Sequence, residues 1–289
     1  MEPKTPKSPQ SIHNSPTDRL TFLGSAGARI MVSKQLLASG GLWLDLGGTQ
    51  VLLDPGPGSL VQCVKRKLDP TRLRAIILSH RHLDHSGDIN AMIEAMTEGG
   101  FRKRGTVFAP ADALEDDPVI LRYIREYPGN IEVLAEGGTY TIDDITLETP
   151  LRHRHPVETY GLVFRTPRHT FSCIVDSEYF PGLSRQYGGE LLIINTLRLE
   201  PGGPAQHLSV PDAREIILAL RPRVAILTHF GMTMWRARPW EVAKTLSEET
   251  GVRVLAARDG MKFDLAELDD PEESSGAGPG DEGDVTAST

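Results

Sequence analysis

Residues 76–88 read IILSHRHLDHSGD, an apolar run followed at once by three histidines and two aspartates. Alternate residues of an extended chain point the same way, so His80 and His82 can present their imidazoles to one metal ion. Asp84 and His85 follow where the chain turns out of the strand, and they point toward a second, neighbouring position. Zinc-like ions bind histidine nitrogen and carboxylate oxygen at about 2.0–2.2 Å. The stretch therefore predicts a metal site at the end of a buried strand.

Four other segments carry an aspartate or a histidine close to an apolar run. In VLLDPGPGSL an apolar run leads into Asp54 and a glycine-rich turn. His155 precedes a Tyr-Gly pair in HPVETYGLVF, Asp176 ends the run in CIVDSE, and His229 ends the run in AILTHFG. Together with SHRHLDHSGD and in this order, these segments resemble the metallo-β-lactamase-fold hydrolases over about residues 20–262.

The resemblance implies an α+β fold, a four-layer αββα sandwich with the site at the edge between its two β-sheets. It also implies two divalent metal ions, zinc in the first place, with manganese, iron or nickel as alternatives. By the same resemblance one ion is bound by His80, His82 and His155, the other by Asp84, His85 and His229, and both by Asp176.

Some neighbouring residues have competing interpretations at the sequence level. If the chain is extended there, His153 shares a strand face with His155 and competes for the ligand role, although the spacing to the Tyr-Gly pair favours His155. Asp54 is expected to brace the loop around the metals rather than to bind metal. His169 follows a Pro-Arg turn and is expected at the surface.

Composition argues against several other classes of protein. No stretch of about 18 or more apolar residues is present, so no membrane span is predicted. The N-terminal MEPKTPKSPQSIHNSPT lacks the apolar core of a secretory signal. The two cysteines, Cys63 and Cys173, are too few for a disulfide framework or a cysteine-rich zinc cluster. We therefore expect a cytoplasmic protein of a reducing compartment, with both cysteines in the core.

Charge divides the chain into one domain and two tails. The net charge of −8 is matched by the acidic residues of 267–289, a Gly-, Pro- and Ser-rich segment without a basic residue. This composition predicts a disordered tail, and residues 1–17 form a second tail that is also predicted to be disordered. A single hydrolase domain is predicted over 18–266, with a homodimer as the default assembly.

The body between the tails is rich in predicted strands. Helices are predicted over 87–100, 210–222 and 237–251, where apolar spacing or Pro and Gly at the ends indicate them. Hairpins are predicted at GGTQ and around the Asp-Asp pair of TYTIDDITLET. Further strands are predicted at LTFLG, LWLDLG, QVLLD, RAIILS, GTVFA, YGLVFRT, TFSCIVD, ELLIINT, RVAILTH and VRVLAAR.

Two segments indicate a branch of the family. TFLGSAGARI and HPVETYGLVF resemble the branch that contains RNase Z and phosphoribosyl cyclic phosphodiesterases. In PAQHLSVPDAREIILALRP, His207 matches that branch's histidine that protonates the leaving alkoxide. The implied reaction is phosphodiester hydrolysis on a dinuclear centre with a bridging hydroxide. Asp84 would orient the hydroxide or take its proton, and His207 would assist departure of the leaving oxygen.

The substrate is left open between a small-molecule phosphodiester, such as a cyclic phosphate, and a single-stranded nucleic acid. Pre-tRNA is disfavoured because only 21 residues lead from His155 to Asp176, too few for the long arm of tRNA-processing relatives. The basic runs at 64–74 and 101–105 are candidates for a nucleic-acid contact, although such runs are usually solvated faces. The rival functions are lactone, ester or thioester hydrolysis on the same centre, and metal binding without catalysis.

Overall fold

The computed structural model describes residues 18–27, 29–203 and 205–269. The predicted tail at 1–17, and all but the first three residues of the tail at 267–289, therefore lie outside the described residues. No helix in the described part of the chain is both long and apolar enough to cross a membrane.

Strands and short helices alternate along the described residues. The strands are β1 (Arg19–Phe22), β2 (Leu42–Leu46), β3 (Thr49–Leu53), β4 (Leu73–Ile77), β5 (Thr106–Pro110), β6 (Asn130–Leu134), β7 (Gly138–Ile142), β8 (Ile145–Thr149), β9 (Leu162–Arg165), β10 (Thr170–Ile174), β11 (Leu191–Asn195), β12 (Val224–Thr228), β13 (Arg253–Ala256) and β14 (Lys262–Asp264). The α-helices are α1 (Ile30–Lys34), α2 (Ser59–Lys65), α3 (Leu83–Ser86), α4 (Ile89–Met96), α5 (Val210–Leu220), α6 (Met232–Arg236) and α7 (Pro239–Thr250). Short 3₁₀ turns complete the order at Pro70–Arg72, Ala111–Ala113, Arg122–Glu126, Leu183–Gln186 and Leu265–Leu268.

The first sheet has the strand order β14-β1-β2-β3-β4-β5-β6. Strands β14, β1, β2 and β3 pair antiparallel, and β3 to β6 pair parallel. The β2–β3 hairpin turns through Gly47 and Gly48, whose φ angles of 62° and 92° are accessible to glycine. The hairpin predicted at GGTQ is therefore confirmed.

The second sheet has the order β13-β12-β11-β10-β9-β8-β7. Its strands β10 to β13 pair parallel, and β7 to β10 pair antiparallel. The β7–β8 hairpin turns at Asp143 and Asp144, as TYTIDDITLET predicted. Strands β9 and β10 are joined directly by the turn at 166–169, so the segment from His155 to Asp176 carries no protruding arm.

The two sheets pack face to face, and helices cover their outer faces. The inter-sheet core joins side chains of both sheets, among them Phe22, Leu44, Phe108, Phe164 and Phe171. Helix α4 packs its buried residues on the outer face of the first sheet, and α5 and α7 do the same on the second. The fold is the predicted α+β sandwich of αββα type.

The sequence pattern located long helices better than short ones. The three predicted helices are present as α4, α5 and α7, with most ends a few residues inside the predicted ranges. Helices α1, α2, α3 and α6 were not predicted, because four to seven residues are too few to establish a helical period, and β6 and β14 lack the apolar runs that indicated the other strands. The 3₁₀ turn at Leu265–Leu268 buries both of its leucines and extends just past the boundary expected at 266.

The sandwich has two opposite edges, which are defined by where its strands end and begin. The site edge is where β4, β10 and β12 end, at Ile77, Ile174 and Thr228. The far edge is where β4 and β5 begin, at Leu73 and Thr106.

Candidate metal centre

The opening motif leaves β4 at the site edge and turns into a one-turn helix. His80 follows the strand, and His82 is the residue that caps α3, with extended backbone angles of φ −60° and ψ 145°. Helix α3 then carries Asp84 and His85. The side chains of Asp84 and His85 consequently point to a different position from those of His80 and His82, as the sequence predicted.

The seven predicted ligands converge into two adjoining groups. Within each group one ligand atom per residue lies within 4.8 Å of the others. The first group is His80, His82, His155 and Asp176, and the second is Asp84, His85, Asp176 and His229. Asp176 is thus common to both groups, in the position that the resemblance gave to the shared ligand.

The distances inside the cluster are those of side chains facing one point rather than one another. The Nδ1 atom of His82 and the Nε2 atom of His155 are 3.0 Å apart, and the Nε2 atoms of His85 and His229 are also 3.0 Å apart. The Oδ2 atom of Asp176 lies 3.6 Å from His80 Nε2 and 3.4 Å from His85 Nε2. Such clustering of buried donor atoms is typical of a metal site.

Three buried polar atoms in the cluster show how well a metal fits. His80 Nε2, Asp176 Oδ2 and His229 Nδ1 have no hydrogen-bond partner within the described residues. A buried polar atom without a partner costs free energy, and native proteins rarely leave one unsatisfied. Imidazole nitrogens and a carboxylate form a donor set that suits divalent zinc-like ions. The residues present therefore fit a divalent metal site.

Outer hydrogen bonds orient three of the imidazoles toward the cluster. His85 Nδ1 donates to Asp54 Oδ2 at 2.9 Å, and His155 Nδ1 donates to the Gln206 carbonyl at 2.9 Å. His80 Nδ1 lies 3.0 Å from Ser79 Oγ, which donates its own hydrogen to Asp54. Each ring is thereby assigned the tautomer that leaves Nε2 available as a ligand.

Asp54 braces the loop, as the sequence suggested. Its Oδ1 accepts from the Ser79 amide at 2.7 Å, and its Oδ2 accepts from Ser79 Oγ at 2.7 Å in addition to His85. Its φ of 51° lies in the left-handed region, which costs free energy for a residue with a side chain. The carboxylate is thus held by its partners between two candidate ligands, and its own oxygens are occupied by hydrogen bonds.

Burial and neighbouring charges set the protonation of the cluster. Burial lowers the pKa of His155 to about 4 and also lowers the pKa values of His80 and His82. These three imidazoles are therefore neutral at pH 7, the form that binds metal. Burial also acts to lower the pKa of His85, but nearby carboxylates, chiefly Asp176, raise it well above its usual value.

The two candidate carboxylate ligands are ionised. Burial acts to raise the pKa of Asp84, but His85 and His229 hold that pKa below its usual range. Burial likewise acts to raise the pKa of Asp176, but the surrounding imidazoles, first His229 and then His207, hold it well below its usual range. The cluster therefore offers anionic oxygens as well as neutral nitrogens to a cation.

His207 lies beside the cluster but belongs to neither group. Its Nδ1 is 3.5 Å from Asp176 Oδ2, and its ring centroid lies 5.2 Å from that of His155 and 5.6 Å from that of His229. Two residues later Ser209 and Asp212 form a capping box that begins α5. The structure therefore brings all eight predicted site residues together.

Of the two neighbouring histidines, His155 lies in the cluster and His153 does not. His153 points the other way and is buried, with Nε2 2.6 Å from the Tyr187 hydroxyl and Nδ1 3.2 Å from the Asp176 carbonyl. A Cβ at Gly161 would lie 2.1 Å from that hydroxyl, so glycine is required for this packing. His153 supports Asp176 from behind rather than joining the cluster.

Two expectations about other residues have different outcomes. The prediction that His169 lies at the surface is wrong, because its side chain is buried and its Nδ1 lies 3.2 Å from Glu190 Oε2. Both cysteines are buried, as expected, and they lie in different cores, Cys63 outside the first sheet and Cys173 between the sheets.

Sequence reasoning missed Asn195, which donates from Nδ2 to Asp176 Oδ1 at 2.9 Å. The signal was present, since Asn195 ends the apolar run ELLIIN next to the strand that leads to Asp176. Carboxyl ends of neighbouring parallel strands meet at one edge of a sheet, which is where polar residues gather around ligands.

The basic runs do not line this site. Residues 64–74 lead from the end of α2 to the start of β4, and 101–105 precede β5, so both runs approach the far edge. There Arg74 donates to Asp143 at 2.9 and 2.8 Å, while Arg102 and Arg104 pair with Glu98. Arg74, Arg102 and Arg104 therefore lie at the opposite end of the sandwich from the metal ligands, whereas Arg66 lies beside Gly260, whose amide donates to the Phe22 carbonyl at the end of β1.

Comparison with known proteins bears out the family. The chain matches the β-lactamase superfamily domain over residues 49–230. An uncharacterized protein of Methanocaldococcus jannaschii is 30% identical over 256 residues, which are 85% of this chain and 94% of that protein. Ribonuclease Z of Acaryochloris marina is 25% identical over 148 residues, 50% of this chain and 47% of that protein, so this match spans only about half of each.

A solved structure has the same fold. The metallo-β-lactamase fold protein YhfI from Bacillus subtilis superposes with a TM-score of 0.69 at 21% identity, covering 86% of this chain and 99% of that one. With the match to the superfamily domain and the likeness to ribonuclease Z, the chain belongs to the metallo-β-lactamase superfamily, in its RNase Z-like branch.

Proposed function

We propose that this protein is a metal-dependent phosphodiesterase with a dinuclear centre formed by His80, His82, Asp84, His85, His155, Asp176 and His229. Bound there, two divalent ions would supply a nucleophilic water at neutral pH and neutralise charge on the phosphoryl oxygens. Zinc is the first candidate for both ions, because neutral imidazoles and carboxylates dominate the donor set.

The observation that carries the proposal is the position of His207. An imidazole beside the cluster, outside both ligand groups, is available to move a proton rather than to bind metal. Hydrolysis of a phosphodiester releases a strongly basic alkoxide as the leaving group, which requires a proton as the P–O bond breaks. His207 lies beside the cluster, with its Nδ1 atom 3.5 Å from Asp176 Oδ2, and can donate that proton. Asp84 would orient the attacking water.

The substrate class follows from what surrounds the cluster. The segment between His155 and Asp176 is a plain strand-turn-strand, and Arg74, Arg102 and Arg104 of the basic runs lie at the far edge. Neither feature offers an extended binding surface near the ligands for a long nucleic acid. A small phosphodiester such as a cyclic phosphate, or the end of a single strand, is therefore the substrate class we propose. The relative named ribonuclease Z agrees with phosphodiester chemistry.

Turnover of bis(p-nitrophenyl) phosphate with added zinc or manganese tests the reaction. We expect metal-dependent turnover that a chelator removes and added metal restores. Metal-loaded protein that cleaves a lactone or thioester but no phosphodiester would replace the proposal with the rival hydrolase. If metal-loaded protein cleaves no phosphodiester, lactone or thioester, the rival interpretation of a non-catalytic metal-binding protein replaces the proposal.

The His207→Ala variant tests the role of His207 as the general acid. We expect it to retain its metal ions and to cleave the nitrophenyl diester, whose phenolate leaves without help. On a diester with an alkoxide leaving group, turnover should fall by about 10²–10⁴-fold, the usual contribution of a general acid. Equal losses on both substrates would contradict the role of His207 as the acid.

A further inference from the structure

His229, the last of the proposed metal ligands, has a strained backbone. Its φ of 62° places it in the left-handed region, which residues other than glycine seldom occupy. Strain of this kind persists only when the surrounding structure over-determines it, and it is common at functional sites. The contacts that impose this conformation therefore also determine where the imidazole points.

Residues 25–27, which follow β1, help to impose the left-handed conformation of His229. The Phe230 amide donates to the Ser25 carbonyl at 2.9 Å, and the Gly27 amide donates to the Phe230 carbonyl at 2.9 Å. These two bonds fix the residue that immediately follows His229. A Cβ at Gly27 would lie 2.3 Å from the His229 carbonyl oxygen and 2.7 Å from its Nδ1, so glycine permits the close approach.

Ser25 is in turn fixed by Asp259, a residue remote in sequence. Asp259 Oδ1 accepts from the Ser25 amide at 2.9 Å and from Ser25 Oγ at 2.8 Å, while Oδ2 accepts from the Ala38 amide at 2.7 Å. Asp259 lies in the connection between β13 and β14, where the chain crosses from the second sheet to the first. One carboxylate thus ties both Ser25 and Ala38 to this crossover.

We propose that Asp259 is a positioning residue for the metal centre, which acts through Ser25 and Phe230 to hold His229 in its strained, ligand-ready conformation. The proposal rests on the metal centre proposed above. Asp259 belongs to neither ligand group, and its effect is transmitted by consecutive hydrogen bonds. Without the carboxylate, the 25–27 segment loses its anchor, and His229 is free to relax out of the left-handed region.

Metal affinity, measured by competition with a chelator, tests this role. We expect Asp259→Ala to weaken binding of the ion held by His229 by about 10–100-fold, the usual effect of removing an outer partner. Asp259→Asn should restore part of that loss, because its remaining oxygen can still accept both Ser25 hydrogens. The matched control is Asp143→Asn at the far edge, which also loses an aspartate that accepts three hydrogen bonds. Unchanged affinity in Asp259→Ala, or an equal loss in the control, would overturn the proposal.

Amide hydrogen exchange of the metal-free protein gives a readout that needs neither metal nor activity. In Asp259→Ala we expect faster exchange at Phe230 and Gly27, and unchanged exchange at Ser79, whose amide is held by Asp54. Exchange that is faster at all three sites would mean general destabilisation and would contradict the specific role. If wild-type protein binds no metal, the proposed function fails, while this exchange result still decides whether Asp259 positions His229.

Discussion

Asp54 and Asp143 have nearly the same positive φ angle at opposite edges of the sandwich. Their φ angles are 51° and 50°, and each carboxylate accepts three hydrogen bonds from side chains or backbone remote in sequence. Asp54 is buried and its partners lead to the metal ligands, whereas Asp143 is exposed and joins Arg74 to Thr49. A positive φ at aspartate therefore accompanies a buried cluster of candidate ligands at one edge and an exposed ion pair at the other.

The electrostatic surroundings of the two edges explain this difference. At the site edge imidazoles and carboxylates are gathered in the interior, and some of their polar atoms have no partner among the residues that the structure describes. At the far edge the charges are paired and in contact with water, where ion pairs contribute little. Removing an aspartate should thus weaken metal binding at the site edge, whereas at the far edge it should change only the stability of the protein, and only slightly.

The largest effect is expected from Asp54→Asn. Asparagine tolerates the left-handed backbone, so the change removes an acceptor without adding strain. His85 loses the partner that fixes its tautomer, and we expect metal affinity to fall by about 10–100-fold. Chelator competition measures it, and an affinity equal to that of wild type would show that Asp54 does not orient His85.

A smaller effect is expected from His153, through the pH dependence of stability. Burial lowers the pKa of His153 to about 4, from 6.5 in the unfolded chain. As the pH falls below 6.5, His153 becomes protonated in the unfolded chain, whereas in the folded protein it stays neutral until about pH 4. The free energy of unfolding therefore declines across that window, and at pH 5 His153 accounts for about 2 kcal/mol of the decline.

Urea unfolding of metal-free protein at pH 7 and pH 5 measures this contribution. His153→Gln, which can still bond to Tyr187 and to the Asp176 carbonyl, should lose less stability than wild type on acidification. A decline as steep in the variant as in wild type would assign the pH dependence to other residues of the site edge.

The smallest effect is expected from Asp143→Asn at the far edge. The side chains of Arg74 and Asp143 are 57% and 37% exposed, so their pairing is screened by water. We expect unfolding free energy to change by at most ~1 kcal/mol and metal affinity and turnover to match wild type. A large loss of metal binding in this variant would remove the distinction between the two edges.

The residues that cluster at the site edge could be located from the sequence because their signals are local. His80, His82, Asp84 and His85 fall within one short motif, and Asp176 and His229 each end an apolar strand. Parallel strands that end at one edge bring such residues together, so the pattern was sufficient once the resemblance supplied the sandwich.

The supporting residues were harder to predict because their partners are remote in the chain. Asp259 meets Ser25 across 234 positions, and nothing in either local pattern connects them. His169 was expected at the surface because its turn is polar, but its ring is buried and pairs with Glu190, which directly precedes the neighbouring strand β11. Such contacts are determined by tertiary packing rather than by the spacing of residues along the chain.

The central claim is that the buried cluster at the site edge binds metal, and the direct test is the metal content of purified and reconstituted protein. We predict about two divalent ions per chain in wild type, with one lost in His82→Ala and both retained in Asp143→Asn. A wild-type protein that binds no ion after reconstitution, or a His82→Ala protein that binds as many as wild type, would contradict the account.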